Sequence, residues 1–426
     1  MRMWVYVVRR VVLAIPVLVG VMTVLFVFVS ALPEVERTCA FYPSTSPYPS
    51  SGYRGSQSST ATSPCTTTIP CSGNPESVCP NPSYQAAVNS LGLNQPIYIQ
   101  WAIYVGNSLS FQWGYINPSS PLGSGETGTG LPTLAGQSVT SVLAEFAPYS
   151  FELLLLTFVI AFLVVVPLQS RAAARPGGRS DHATRALTIC GLGITLVILA
   201  PLALWGATYA LGGPAAASPI CGSQSTVFLD FYRSWPIPPC PPLYGGNNSS
   251  SNYPSWLNWG YQSTPTGFPT VDAAVHGQFW LALDTLLRML LPALLLAFVA
   301  IAVILRYVRY DPADRMDLEF LRGARARGLP ESKVFPRQAR RYTFCATLPA
   351  LMFALIWVFS FLWIVELLFG LWGVGALFFY AIVDWSRHPD YAIFYGLMLL
   401  FAYLLVATDI FASSLRAYLD PRFRQT

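Results

Sequence analysis

The chain has 426 residues, of which 53% are hydrophobic and only 11% charged, and its mean hydropathy is +0.47. Soluble domains carry about 25% charged residues, so this composition excludes an ordinary water-soluble domain and points to a membrane protein. The net charge of +5 is small, and no basic or acidic block resembles a nucleic-acid-binding tail.

Six apolar runs are long enough to cross about 30 Å of hydrocarbon. They are residues 11–32, 149–169, 186–212, 285–306, 347–369 and 391–413. The fold class expected is an all-α polytopic membrane protein with six transmembrane helices and both termini cytoplasmic. Residues 1–32 hold a short leading segment and the first span. That run is too long for a signal peptide and lacks a small-residue cleavage site, so it reads as a true span. Arg9 and Arg10 precede it and hold the N-terminus in the cytoplasm.

Residues 33–148 form a first outer segment. Its first half is rich in Ser, Thr, Pro and Tyr and carries Cys39, Cys65, Cys71 and Cys79, the pattern of an irregular, disulfide-stapled loop. Its second half, SLGLNQPIYIQWAIYVGNSLSFQWGYI, is too polar to span and reads as a short interfacial helix. Residues 149–212 hold spans two and three around a cytoplasmic loop at 170–185. Residues 213–284 form a second outer segment with Cys221, Cys240 and overlapping Asn-x-Ser sequons at Asn247 and Asn248, which are acceptor sites in a host that glycosylates. Residues 285–426 form a core of three spans around a cytoplasmic loop at 310–345.

Charge and cysteine placement give two independent views of this topology. Twenty of the 25 Lys and Arg fall in the N-terminus, the loop from Arg171 to Arg185, the stretch from Arg306 to Arg341, and the tail. That asymmetry orients the chain. The six cysteines of the outer segments would lie in an oxidising compartment and could form three disulfides, Cys221 with Cys240 first; free thiols are the alternative.

Much chemistry is missing. The single lysine, Lys333, follows no glycine-rich phosphate loop, so the chain cannot bind ATP in that way by itself. His182, His276 and His388 stand alone, and no Cys/His spacing suits zinc. Ionisable residues inside apolar runs carry more weight, because hydrocarbon makes them costly. Glu152 opens span two, and Asp284 and Arg288 can pair at i, i+4 as span four opens. Glu366 lies near the outer end of span five and Asp409 late in span six. These residues either line a polar solute path, Glu152, Glu366 and Asp409 above all, or bond between helices and snorkel to the interface.

The densest positive charge is LEFLRGARARGLPESKVFPRQARR, residues 318–341, lying between two spans. It reads as a helical hairpin. Gly323, Ala324 and Ala326 make a small-residue surface, and Gly328 can end the first helix in the left-handed conformation. Pro330 starts a second short helix, ahead of a span beginning near Pro349. The result is a compact cytoplasmic knob with a basic rim, suited to a groove in a partner; a plain return loop with arginines is the alternative.

These residues resemble the cytoplasmic EAA loop of ABC-importer permeases. They are most similar to the dipeptide/oligopeptide/nickel family, which tends to read R-T-A-R-A-K-G-L. Ala324, Arg325, Ala326, Gly328 and Leu329 fit, while Arg322 stands where the general motif has its Glu. The likeness runs in order along most of the chain. VVRRVVLAIPVLVGVMTVLFVFVSALP is similar to the family's first span, and LGLNQPIYIQW to its L-G-L-D-x-P-x-x-x-Q-Y segment. FELLLLTFVIAF resembles the start of its second span, including Glu152. VELLFGLWGVG resembles V-E-x-x-F-x-x-P-G-L-G, with Trp372 in place of Pro, and LDPRFR resembles the D-P-R-I-R tail. Residues 37–83 and 213–276 depart from the pattern and look like insertions facing a binding protein.

The resemblance implies a non-catalytic permease in the cell membrane that imports di- and oligopeptides. It implies pairing with a second similar permease, two ABC ATPases that dock on the EAA loops, and an extracytoplasmic binding protein that delivers solute. Docking would fall on Arg322, Gly323, Ala324, Arg325, Ala326, Gly328, Leu329 and Pro330. No cofactor is expected in this chain, since ATP and magnesium would sit on the ATPases, and no nucleic acid is expected. Oligosaccharides or nickel are alternative cargo, and an ATP-independent carrier is an alternative class.

Overall fold

The computed structural model describes residues 3–41, 68–71, 74–80, 82–116, 134, 136–174, 178–211, 268–275, 279–308, 326, 331–369, 371, 373–383 and 390–419. Its first helix, α1 (Met3–Ser30), is followed by a short α2 (Glu34–Phe41). A two-stranded antiparallel hairpin, β1 (Thr68–Cys71) and β2 (Asn74–Pro80), comes next. This hairpin departs from the all-α expectation; it falls in the Cys-rich part of the first outer segment. Then come α3 (Pro82–Ser90) and α4 (Ile97–Leu109), the latter at the predicted interfacial helix.

The core is built from α5 (Val139–Ala174), α6 (Arg179–Gly193), α7 (Leu196–Leu211), α8 (Pro269–Val275) and α9 (Phe279–Val308), completed by α10 (Glu331–Phe369), α11 (Val374–Val383) and α12 (Tyr391–Leu419). Among the described residues five helices, α1, α5, α9, α10 and α12, are long and apolar enough to cross a membrane, or six if one bent pair counts as a span. In hydrocarbon every backbone polar group must be bonded within the chain, which is why such apolar runs become helices.

The third run is the bent pair. The single span expected at 186–212 is two helices, α6 and α7, meeting at 99°. Ile194 is in extended conformation (φ −88°, ψ 114°), and Thr195 restarts the helix by accepting from the amides of Ile198 and Leu199. Hydropathy averaged across the run hides this two-residue break. The arginines of the predicted loop 170–185 are also largely helical, because α5 continues through Arg171 to Ala174 and α6 already contains Arg179 and Arg185. Asp181 and Arg185 pair at 2.9 Å, one turn apart.

Contacts between helix ends order the bundle. Gln169 late in α5 donates to the Leu305 carbonyl late in α9 (3.5 Å), and Phe162 packs on Phe344 of α10. At the other end, Ser150 of α5 meets Glu366 of α10, and the amide of Thr270, just ahead of α9, lies 3.5 Å from Glu152. Helices α5 and α9 therefore run the same way and α10 runs against them. The chain must return once between α5 and α9, and the bent pair lies on that path. Arg10 of α1 lies 4.0 Å from Asp409 of α12, so α1 starts where α12 ends.

Burial follows this arrangement. Helix α9 is central, with Ala293, Ala297, Ala300 and Ala302 buried; small side chains let neighbours approach closely. Gly191 of α6 sits against Phe298 and Ala302, where a Cβ would collide. Helix α1 is peripheral: Val11, Val12, Leu13, Ile15 and Val17 are exposed. Only Met22, Leu25, Phe26 and Val29, one stripe at helical spacing, are buried near its end. There Thr23 accepts from Trp101 Nε1 of α4 at 3.0 Å, and Phe26 packs on Tyr104.

A turn after α4 caps the bundle. Phe111 takes a left-handed φ of 60° and Gly114 a φ of 102°, and a Cβ on Gly114 would strike the Ala40 carbonyl. The turn links α2 and α5 through Tyr115 N–H to Ala40 O (3.0 Å) and Val139 N–H to Gly114 O (2.9 Å). Trp113 stacks on Tyr403 of α12 at 5.9 Å.

Candidate functional site

The short helix α11 lies in the chain between α10 and α12. After α10 ends, the chain turns back: the Leu371 amide donates to the Glu366 carbonyl (2.8 Å) and the Gly373 amide to the Leu371 carbonyl (3.1 Å). Helix α11 starts at once, and its first amides have no partner within their own helix.

Two buried side chains satisfy them. Glu366 Oε2 accepts from the amides of Gly375 (2.8 Å) and Ala376 (3.0 Å). Ser150 Oγ accepts from the Val374 amide (2.8 Å) and donates its proton to Glu366 Oε1. Three successive N–H groups of α11 are thereby bonded by one carboxylate and one hydroxyl. The negative charge lies at the positive end of the α11 dipole, which offsets the cost of burying it. Helices α5, α10 and α11 are thus joined by a polar knot with almost no exposure to solvent.

Two glycines make that closeness geometrically available. A Cβ on Gly373 would collide with the Ser150 hydroxyl and the Glu366 carboxylate. A Cβ on Gly375 would sit 2.8 Å from the backbone N and Cα of Trp363, atoms that cannot rotate away. The V-E…G-x-G pattern of the sequence is therefore a glutamate and the two glycines that let it reach a helix end.

The three acidic residues singled out from the sequence do not converge. Glu366 is buried in the knot. Glu152 lies two residues beyond Ser150, on a different face of α5, and its Oε2 receives the Thr270 amide at 3.5 Å. Beside it Phe151 meets Phe268 edge-on at 6.2 Å, so this face of α5 holds the entry to α9. Because α5 begins at Val139, Glu152 is well inside a helix and not at its start. Asp409 is at the opposite end of the bundle, paired with Arg10, both side chains about two-fifths exposed. The role of Ser150 was not read from the sequence: a lone serine in an apolar run has no distinguishing pattern, and its partner lies 216 positions away.

The docking stretch is only partly visible. Arg322, Gly323, Ala324, Arg325, Gly328, Leu329 and Pro330 lie outside the described residues, and Ala326 is helical and exposed. Beyond Pro330 the expected short second helix is instead the first part of α10. That helix runs unbroken for 39 residues from Glu331, through Pro349, to Phe369. Of the outer cysteines, Cys39 lies in α2 and Cys71 and Cys79 in the hairpin, where only the backbone is described. Cys65, Cys221, Cys240, Asn247 and Asn248 lie outside the described residues, as do the side chains of Asp284 and Arg288. Among the described residues no group of three His, Cys, Asp or Glu could hold a metal ion.

Comparison with known proteins places this architecture. Residues 165–425 match the profile of the family described as "Binding-protein-dependent transport system inner membrane component". The chain is similar to the probable D,D-dipeptide transport system permease protein DdpB of Escherichia coli (strain K12), 26% identical over 332 residues, covering 78% of this chain and 82% of that protein. It is similar to the oligopeptide transport system permease protein AppB of Bacillus subtilis (strain 168), 22% identical over 420 residues and covering 98% of each. It is also similar to the dipeptide transport system permease protein DppB of Escherichia coli (strain K12), 24% identical over 341 residues, covering 78% and 83%.

Proposed function

The chain belongs to the binding-protein-dependent transport system inner membrane components, multi-pass membrane subunits that are not themselves enzymes, and we propose that it is a permease of an ATP-driven importer for peptides. It would form the solute pathway with a second similar permease and receive solute from a binding protein on the outer side. Peptide cargo is supported by its relatives, which are named as dipeptide and oligopeptide permeases. The chain carries no phosphate loop of its own, so the energy would come from two ATPases docked on the cytoplasmic face, at residues 322–330. That face is the end of the bundle where α1 starts and α12 ends, and Arg9, Arg10 and Arg416 cluster there.

The observation that carries a mechanism is the continuity of α10. A 39-residue helix is about 58 Å long, and this one begins at the docking loop and ends in the Glu366 knot. Tilting its cytoplasmic end would move α11 and the early part of α5 at the far end, because Glu366 and Ser150 bind both to it. Closure of the ATPases on ATP would then favour one orientation of α10 and release would favour the other, which is how differential affinity drives alternating access.

Mass spectrometry of what co-purifies with the full chain in mild detergent tests this. Two phosphate-loop ATPases, a second permease and a binding protein still holding peptide are the expected set. Recovery of this chain alone as a stable homo-oligomer would overturn the proposal in favour of an ATP-independent carrier.

A further inference from the structure

Among the described elements, helices α5, α7, α9, α11 and α12 all pack against α10. Its covered faces carry Leu351, Ala354, Leu355, Val358 and Leu362, all buried. One stripe is left open. Pro349, Phe353, Ile356, Trp357 and Ser360 are exposed, and their spacing puts them on a single helical face. Tyr307 of α9 borders this stripe, 48% exposed, with its ring stacked on Phe353 at 4.3 Å. Phe361 extends the stripe by stacking on Trp357.

The stripe differs from the exposed faces of other spans. Helix α5 presents Leu155, Val159, Leu163 and Val164, aliphatic side chains that hydrocarbon accommodates. Tryptophan and tyrosine concentrate at the two membrane–water interfaces, yet Trp357 lies at the middle of the 23-residue span Thr347–Phe369. It is 45% exposed, and its indole N–H has no hydrogen-bond partner among the described residues. An N–H left unbonded in hydrocarbon is costly, so this face meets a group that accepts. Ser360, about one turn further on, donates its proton to the Ile356 carbonyl (2.8 Å). Its oxygen can still accept. The middle of the stripe therefore offers one donor and one acceptor about a helical turn apart, flanked by aromatic rings.

We propose that this stripe is a wall of the solute pathway and binds an extended peptide by its backbone. Trp357 donates to a peptide carbonyl, Ser360 Oγ accepts from a peptide N–H, and Tyr307, Phe353 and Phe361 pack on apolar side chains of the solute. The assignment rests on the reading of this chain as a peptide permease. An extended peptide carries both backbone groups unbonded. An acyl chain offers the indole no acceptor. A helix of the second permease keeps its backbone bonds to itself and has only side chains to offer. At the end of the bundle where α1 starts, Phe353 also lines an open cavity of about 540 Å³ with Tyr6 and Pro349, so the stripe leads out on that side.

The full chain with its associated subunits is reconstituted in liposomes, with binding protein saturated by trialanine or by triphenylalanine. Peptide uptake and ATP hydrolysis are measured together. Trp357→Phe keeps the ring and loses the N–H, and uptake of both peptides per ATP hydrolysed should fall roughly tenfold. Phe353→Ala should slow triphenylalanine about threefold or more beyond its effect on trialanine. A photo-cross-linker at Ile356 should capture labelled peptide during turnover. Unchanged uptake in Trp357→Phe, equal effects of Phe353→Ala on the two peptides, or capture of only lipid or only the second permease at Ile356 would each overturn the proposal while leaving the importer reading in place. Absence of ATP-driven uptake by the unaltered complex would instead overturn that reading, and the proposal with it.

Discussion

Glu366 illustrates how one side chain carries both a cost and its compensation. A buried carboxylate is destabilising unless it is bonded, and here two backbone amides and a hydroxyl converge on it. Replacing it with alanine leaves the amides of Gly375 and Ala376 buried without acceptors. Glu366→Ala should therefore destabilise the purified protein by about 3–5 kcal/mol, read as a large fall in its thermal midpoint in detergent. Glu366→Gln keeps the size and an acceptor but loses the charge at the helix end, and should cost about 1–2 kcal/mol. Equal effects for the two would mean that the charge carries the whole interaction and the retained acceptor none of it. Gly375→Ala should behave more like the first variant, because its methyl meets the backbone of Trp363. The glutamate and the glycines were visible in the sequence as a motif. Their chemistry was not, because it depends on a serine from another helix.

At the scale of elements, two helices differ from the hydropathy reading for opposite reasons. In α6 and α7 one apolar run is broken by two non-helical residues, which an averaged window cannot detect. In α10 a polar, basic segment and an apolar one are a single helix, since a helix continues across a change of polarity as long as its backbone bonds do. If α10 is the lever between docking loop and knot, a break in it should separate the two activities. Thr343→Pro removes a backbone bond in the helix interior and costs about 3 kcal/mol or more locally. In the reconstituted transporter it should leave ATP hydrolysis measurable and abolish peptide uptake. Uptake that still tracks hydrolysis would count against the lever. Gly328→Pro, in the docking loop, should uncouple in the same way while leaving the chain inserted.

For the whole molecule, the end-to-end contacts place the start of α1 beside the end of α12. Reporter domains fused ahead of α1 and after α12 should therefore show the same sidedness, the cytoplasmic one under the charge rule. Opposite sidedness would break the six-crossing arrangement. A reporter placed in residues 213–267 should show the other side, because the bent pair returns the chain once between α5 and α9.

The sequence by itself determined that the chain lives in a membrane, that it carries several apolar helices long enough to cross one, and which family it resembles. Hydrophobic length and arginine placement are sums over local residues, and a bilayer responds to such sums directly. Only the tertiary structure decided which ionisable residues act together. It separated Asp409 from Glu366 by the length of the bundle, joined Glu366 to Ser150 across 216 positions, and brought Arg10 to within 4.0 Å of Asp409. Those pairings depend on the direction and rotation of helices packed far apart in sequence, and no periodicity within one helix encodes them.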